Sequence, residues 1–152
     1  MKFSDPESRL LRAIQADATL SLQSLAERVG MASSTVWRKL QDFDATGLIA
    51  GRVTLLSPKH AGCGLCVLAQ IRLRTHTQES VEGFMALVRQ HEEILECLAV
   101  SGSADYMLKI RMADMESYET FMSRHLLRSD LVAQVESNFV LREIKHTTAL
   151  PI

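Results

Sequence analysis

Hydrophobic and polar positions follow two different periods along this chain, and the change falls near residue 60. Before it the spacing is helical. Asp5 and Pro6 read as an N-cap and a first helical residue, followed by Leu10, Leu11 and Ile14 on one face of a helix ending near Asp17. Leu22, Leu25, Ala26 and Val29 fall at i, i+3, i+4 and i+7, which predicts a short helix capped by Ser21 and stopped by Gly30. Val36, Leu40 and Phe43 form a third stripe and leave Ser34, Trp37, Arg38 and Gln41 on the opposite face. Ser33 or Ser34 must cap this helix, because Ala32 has no side-chain acceptor, and Gly47 is placed to stop it. The second and third helices, joined through Gly30, Met31 and Ala32, have the pattern of a helix-turn-helix, one that helical bundles also use. Leu48 to Leu55, apolar in short stretches around Gly51, predicts a small β-hairpin, the wing of a winged helix, with Arg52 placed to reach a DNA backbone.

Pro, Gly and polar residues cluster in Ser57-Pro58-Lys59-His60-Ala61-Gly62, which marks a boundary. The expected division is a helical domain over residues 1–52, a linker over 53–64 and a second domain over 65–152. In that second domain Leu65, Val67, Ala69, Ile71 and Leu73 alternate as a strand, and Val81, Phe84, Met85 and Val88 recur at helical spacing within Thr77 to Gln90. Ile94 to Ser101 and Tyr106 to Met112 are strand-like and are separated by the small residues Gly102-Ser103-Ala104-Asp105. Asp114 is placed to cap a helix that turns Met115, Tyr118, Met122 and Leu126 inward, and a last strand is expected from Val132 to Ile144 with Val135, Phe139 and Leu141 on its apolar side. The order βαββαβ is that of a ferredoxin-like domain, four antiparallel strands with both helices on one face. Cys66 and Leu68 beside Val67 make the first strand apolar on both sides, so a second subunit is expected to cover the other face and hold an obligate dimer.

Composition narrows the class further. The 152 residues are 47% hydrophobic, enough for a core without disulfides, and no apolar run approaches the ~20 residues of a membrane span. The N-terminus lacks the apolar core of a signal peptide, so a cytoplasmic location without membrane attachment is expected. Net charge is −1, but its distribution is uneven: residues 1–60 hold eight Lys/Arg against six Asp/Glu, the remainder nine against twelve. The mild positive excess therefore sits with the helix pair, and with so few cations a single copy should bind DNA poorly. No HExxH, GxSxG or P-loop pattern occurs, so an enzyme has no sequence support, and no cofactor is expected. Cys63 and Cys66 have CxxC spacing, but Cys97 and scattered histidines make a poor ligand set beside paired CxxC motifs; core thiols are the simpler reading, with a thiol- or metal-responsive regulator as the alternative.

Specific local matches join these patterns: Leu25-Ala26-Glu27-Arg28-Val29-Gly30-Met31, Trp37-Arg38-Lys39-Leu40, Gly47-Leu48-Ile49 and Thr147-Thr148-Ala149-Leu150-Pro151. With them the whole chain resembles regulators of the Lrp/AsnC (leucine-responsive, feast/famine) family. The resemblance implies an α+β protein with an N-terminal winged helix-turn-helix domain and a C-terminal ferredoxin-like (RAM) domain. It further implies a transcription regulator bound to double-stranded DNA, whose second domain oligomerises and takes a small effector, commonly an amino acid, as a homodimer that assembles to a tetramer or octamer. Two departures stand out: Ala32 where a capping Ser is common, and Arg52 where an aromatic is common.

The start of the third helix supplies the candidates for DNA contact, Ser33, Ser34, Thr35, Trp37, Arg38 and Gln41, because that part of a helix-turn-helix enters the major groove. Arg38 has the fork to read guanine O6 and N7, or it contacts phosphate alone; Gln41 suits adenine; Lys39, one position off the face, suits a phosphate. Trp37 either packs over the helix pair or meets a thymine methyl. In the second domain Asp105 follows a loop with accessible amides, a combination that fits a zwitterion or that is simply a hairpin turn. The resemblance adds Leu98, Gly102, Ser103 and Met115 as pocket candidates beside Asp105, and the aliphatic neighbours favour an aliphatic or thioether effector.

Overall fold

The computed structural model describes residues 3–152, which form two compact units. The first comprises the helical N-terminus to Thr54 together with the tail from Ile144 to Ile152. Its helices are α1 (Asp5–Ala16), α2 (Leu22–Val29) and α3 (Ser33–Ala45). Helix α1 starts one residue earlier than expected: Ser4 is the N-cap, and its N–H and Oγ both donate to Glu7 Oε2, at 2.9 and 2.7 Å. Ser21 caps α2 by accepting from Ser24 N at 3.1 Å, and Gly30 ends it with φ 67°, a left-handed conformation in which a side chain would be strained. Neither Ser33 nor Ser34 caps α3. Ala32 occupies the N-cap without a side-chain hydrogen bond, so the first amides of α3 are left to solvent or a ligand. Leu10, Leu11, Leu25, Ala26, Val29, Val36 and Phe43 are buried together where the three apolar stripes meet.

The hairpin expected over Leu48–Leu55 does not form: residues 50–56 are irregular, unpaired and exposed, Val53 to 80%. A two-stranded hairpin needs a packed face to persist, and this segment's apolar residues find none within the chain. The tail, grouped with the sheet in the sequence reading, makes its contacts on α1. Ile152 packs against the helical core, Arg12 Nε donates to Ile152 O at 2.5 Å, and the Gln15 amide brackets Leu150, accepting from its N–H at 2.6 Å and donating to its carbonyl at 3.3 Å.

The second unit, Leu55–Glu143, contains β1 (Leu65–Leu73), α4 (Gln78–Arg89), β2 (Ile94–Ala99), β3 (Tyr106–Met112), α5 (Met115–Phe121) and β4 (Val132–Phe139). A π turn, Met122–Leu126, continues α5. The strands form one antiparallel sheet in the order β2-β3-β1-β4, the expected ferredoxin-like arrangement. Val67, Ala69, Ile71 and Leu73 of β1 and Tyr106, Leu108, Ile110 and Met112 of β3 are buried with Phe84, Tyr118, Phe121 and Leu126 from the helical side. Two details differ from the sequence reading. Strand β4 ends at Phe139 and Leu141 is 98% exposed: the last bond to β1 runs from Val140 N to Cys66 O at 3.0 Å, and beyond it the chain leaves the ladder. Met115 opens α5 on its outer side, 52% exposed, while Tyr118, Met122 and Leu126 turn inward as expected.

Candidate DNA-reading face and effector cleft

Helix α3 keeps Val36 and Phe43 in the core, and that anchoring turns the intervening residues outward. Ser33, Ser34, Trp37, Arg38 and Gln41 are exposed, with Thr35 half-buried at the edge. Trp37 is 56% exposed, so the packed alternative gives way to a presented indole. Two nominated cations are already engaged. Lys39 Nζ lies 2.8 Å from Glu7 Oε1, bracing α3 against α1, and this contact together with the Ser4 bonds holds the Glu7 carboxyl down at about 2. Arg52 is 3.2 Å from Asp44 Oδ2 on the surface of α3. Arg38 makes no ion pair among the described residues and stands free on the exposed face.

In the sheet unit the loop Gly102–Asp105 closes the tops of β1 and β3. Asp105 N donates to Ile71 O at 2.9 Å, and its carboxylate accepts from Leu73 N at 2.7 Å through Oδ2 while Oδ1 faces His76 Nε2 at 2.8 Å. The His76 contact, and then the Leu73 amide, lower its pKa from the ordinary carboxylate value. Both oxygens of Asp105 are thus occupied in fixing the loop. Gly102, with φ 121°, lets the chain turn there, and Ser103 O accepts from the Arg72 guanidinium.

This arrangement frames a cleft of about 70 Å³ on the sheet face away from the helices, lined by Gln70, Arg72, Ser103, Ala104, Gln134 and Glu136 among others. Pairing register explains the grouping. Leu98, Met107, Gln70 and Glu136 form one row across β2, β3, β1 and β4, and Arg72 opposite Gln134 forms the next. Of the nominated effector residues, Ser103 lines the cleft, Gly102 and Asp105 shape its loop, and Leu98 lies on the same face, two strands from Gln70. Met115 does not join them: it follows the opposite end of β3, ~20 Å away for six steps of ~3.3 Å. The larger groove at that end, about 450 Å³ with Asp114, Phe121 and His125, includes none of the nominated residues. Arg72, Gln134 and Glu136 were missed in the sequence. Alternation alone puts them on the open face of their strands, but only the β1–β4 register brings them together.

The three cysteines are unpaired: Cys63 exposed, Cys66 buried and Cys97 partly buried, where burial pushes its thiol up. Among the described residues no group of three His, Cys, Asp or Glu is placed to hold a metal ion, and no helix is long and apolar enough to cross a membrane.

A helix-turn-helix unit and a separate ferredoxin-like unit with a small polar cleft on one chain fit a class, the DNA-binding regulator that carries its own sensor domain. Comparison with known proteins resolves the class further. A winged helix-turn-helix DNA-binding model matches residues 5–50, and a model of the Lrp/AsnC ligand binding domain matches residues 66–150. The chain is 34% identical over 146 residues to the DNA-binding transcriptional activator DecR of Escherichia coli, covering 96% of each. It is 32% identical over 151 residues to a glutamate uptake regulatory protein of Zymomonas mobilis, covering 99% of this chain and 92% of that one. Its fold matches a transcriptional regulator from Neisseria meningitidis, solved as a complex with L-methionine, at a TM-score of 0.95 and 33% identity over 99% of this chain and 97% of that one. This chain belongs to the Lrp/AsnC family of transcriptional regulators. It is a DNA-binding regulator with a ligand-binding domain and not an enzyme.

Proposed function

We propose that the chain reads DNA through the exposed face of α3 and that an amino acid, seated in the Arg72–Glu136 cleft, modulates its assembly or its hold on DNA. The carrying observation is the cleft's pairing of a cation with a carboxylate on adjacent strands. Arg72 suits the effector's carboxylate and Glu136 its ammonium, while Gln70 and Gln134 supply neutral donors and acceptors. The cleft has room for that head group only. The effector's side chain therefore lies over the open sheet face toward Met107 and Leu98, which favours an aliphatic or thioether group. The Neisseria relative bound to L-methionine supports this choice. Asp105 serves by holding the loop that presents Ser103 rather than by touching the ligand. A thermal-shift screen against the twenty amino acids tests the reading: an aliphatic or thioether member should raise Tm most, and a flat response to all twenty would sink it.

The same open face is the surface by which copies associate. Leu68 and Leu98 are exposed there beside Cys66 and Met107, more apolar surface than a solvated sheet face keeps. Light scattering should find a dimer or larger assembly at micromolar concentration, and Leu98→Asp should shift it toward smaller species. A wild-type monomer would contradict this.

A further inference from the structure

The placement of α3 in the major groove, on which this inference rests, leaves Trp37 as its most conspicuous group. Trp37 is the only tryptophan in the chain, and on the outward face of α3 it is the one aromatic side chain among the described residues, Phe43 being buried. It projects between Ser34, one turn before it, and Gln41, one turn after, on a face whose charge is sparse: of the nominated cations Lys39 is bonded to Glu7 and Arg52 to Asp44, while Arg38 makes no ion pair among the described residues. A face so thinly charged gains little from phosphates, and phosphate contacts carry no sequence information, so its discrimination must come from groups that touch the base edges.

In the major groove the edges of the four base pairs present donors, acceptors and one apolar group, the C5-methyl of thymine. An indole entering that groove packs its ring favourably against such methyls while its Nε1–H can donate to an acceptor on a base edge; against cytosine the ring meets an amine from which it cannot accept. We infer that Trp37 is the specificity-determining residue of this helix, packing its ring on a thymine C5-methyl in each half-site. Arg38, beside it, fixes the helix on the backbone or a neighbouring guanine.

The experiment uses the full-length protein and a duplex selected by it from a random-sequence library at low salt. Replacing single thymines with deoxyuridine removes the methyl and nothing else. One thymine per half-site should then weaken wild-type binding about three- to fivefold, the effect of losing one buried methyl. Trp37→Ala should bind the thymine and deoxyuridine duplexes equally, and Trp37→Phe should keep part of the preference. Because Trp37 is exposed, circular dichroism of both variants should match the wild type. The single indole also reports directly: its emission should shift to the blue and lose acrylamide quenching when the duplex binds. Deoxyuridine tolerated at every position, or emission and quenching unchanged in the complex, would overturn the inference while leaving DNA binding intact. Failure to retain any duplex would overturn both it and the placement of α3.

Discussion

Lys39 and Glu7 illustrate how one side chain's partner redefines its role. By its position on α3, Lys39 looks available to a phosphate, yet its ammonium closes on a carboxylate 32 residues earlier in the sequence. That carboxylate is simultaneously the acceptor of the α1 capping box, so a single acidic group joins the start of one helix to the middle of another. The sequence reading places the cap at Asp5 and passes over the Ser4–Glu7 spacing of a capping box, and nothing local in the sequence shows that Lys39 will reach that carboxylate. Glu7 titrates at about 2 when folded, against ~4.3 in an unfolded chain, so its contribution to stability is fully present above pH ~4.3. That contribution is lost as pH falls through about 2. Lys39→Ala should raise the Glu7 pKa toward the unfolded value and flatten the acid limb of the stability profile over that window. Carbon-detected NMR titration of the Glu7 carboxyl measures this; an unmoved midpoint would show that Ser4 alone holds it.

Among the elements, those whose apolar stripes are continuous were legible: α1, α2, α3 and α4 lie within a residue or two of expectation, as do β1 and β3. The misreadings share a cause. Leu48–Leu55 and 140–144 contain apolar residues at strand-like density, but a strand also needs a ladder partner, which local pattern does not specify. The tail is a second case, since its docking on α1 depends on Arg12 and Gln15, about 140 residues away in sequence. Deleting residues 150–152 should remove the Ile152 packing and the bonds from both side chains, lowering the stability of the helical unit by about 1–3 kcal/mol. Denaturant unfolding followed by Trp37 emission reads that unit specifically, and an unchanged midpoint would mean that the tail contact contributes nothing to it.

At the level of the whole molecule, two units with separate cores divide the work. The ferredoxin-like order was legible in the sequence; the change of period falls near residue 60, whereas the compact units divide between Thr54 and Leu55 and the tail from Ile144 belongs to the first. The cleft was legible only in part. Ser103 and its loop stand out in the sequence as a run of small residues, whereas Arg72, Gln134 and Glu136 are ordinary polar positions until β4 is laid beside β1. An effector regulates from such a cleft only by favouring one assembly or DNA-bound state over another, because equal affinity for both shifts nothing. The most direct test is therefore the affinity for a selected duplex, measured by fluorescence anisotropy with and without the amino acid that most raises Tm, in the wild type and in Glu136→Gln. A several-fold effector-induced change in the wild type, lost in Glu136→Gln with affinity in the absence of effector preserved, is the predicted result. An effector response of full size in Glu136→Gln would contradict the account.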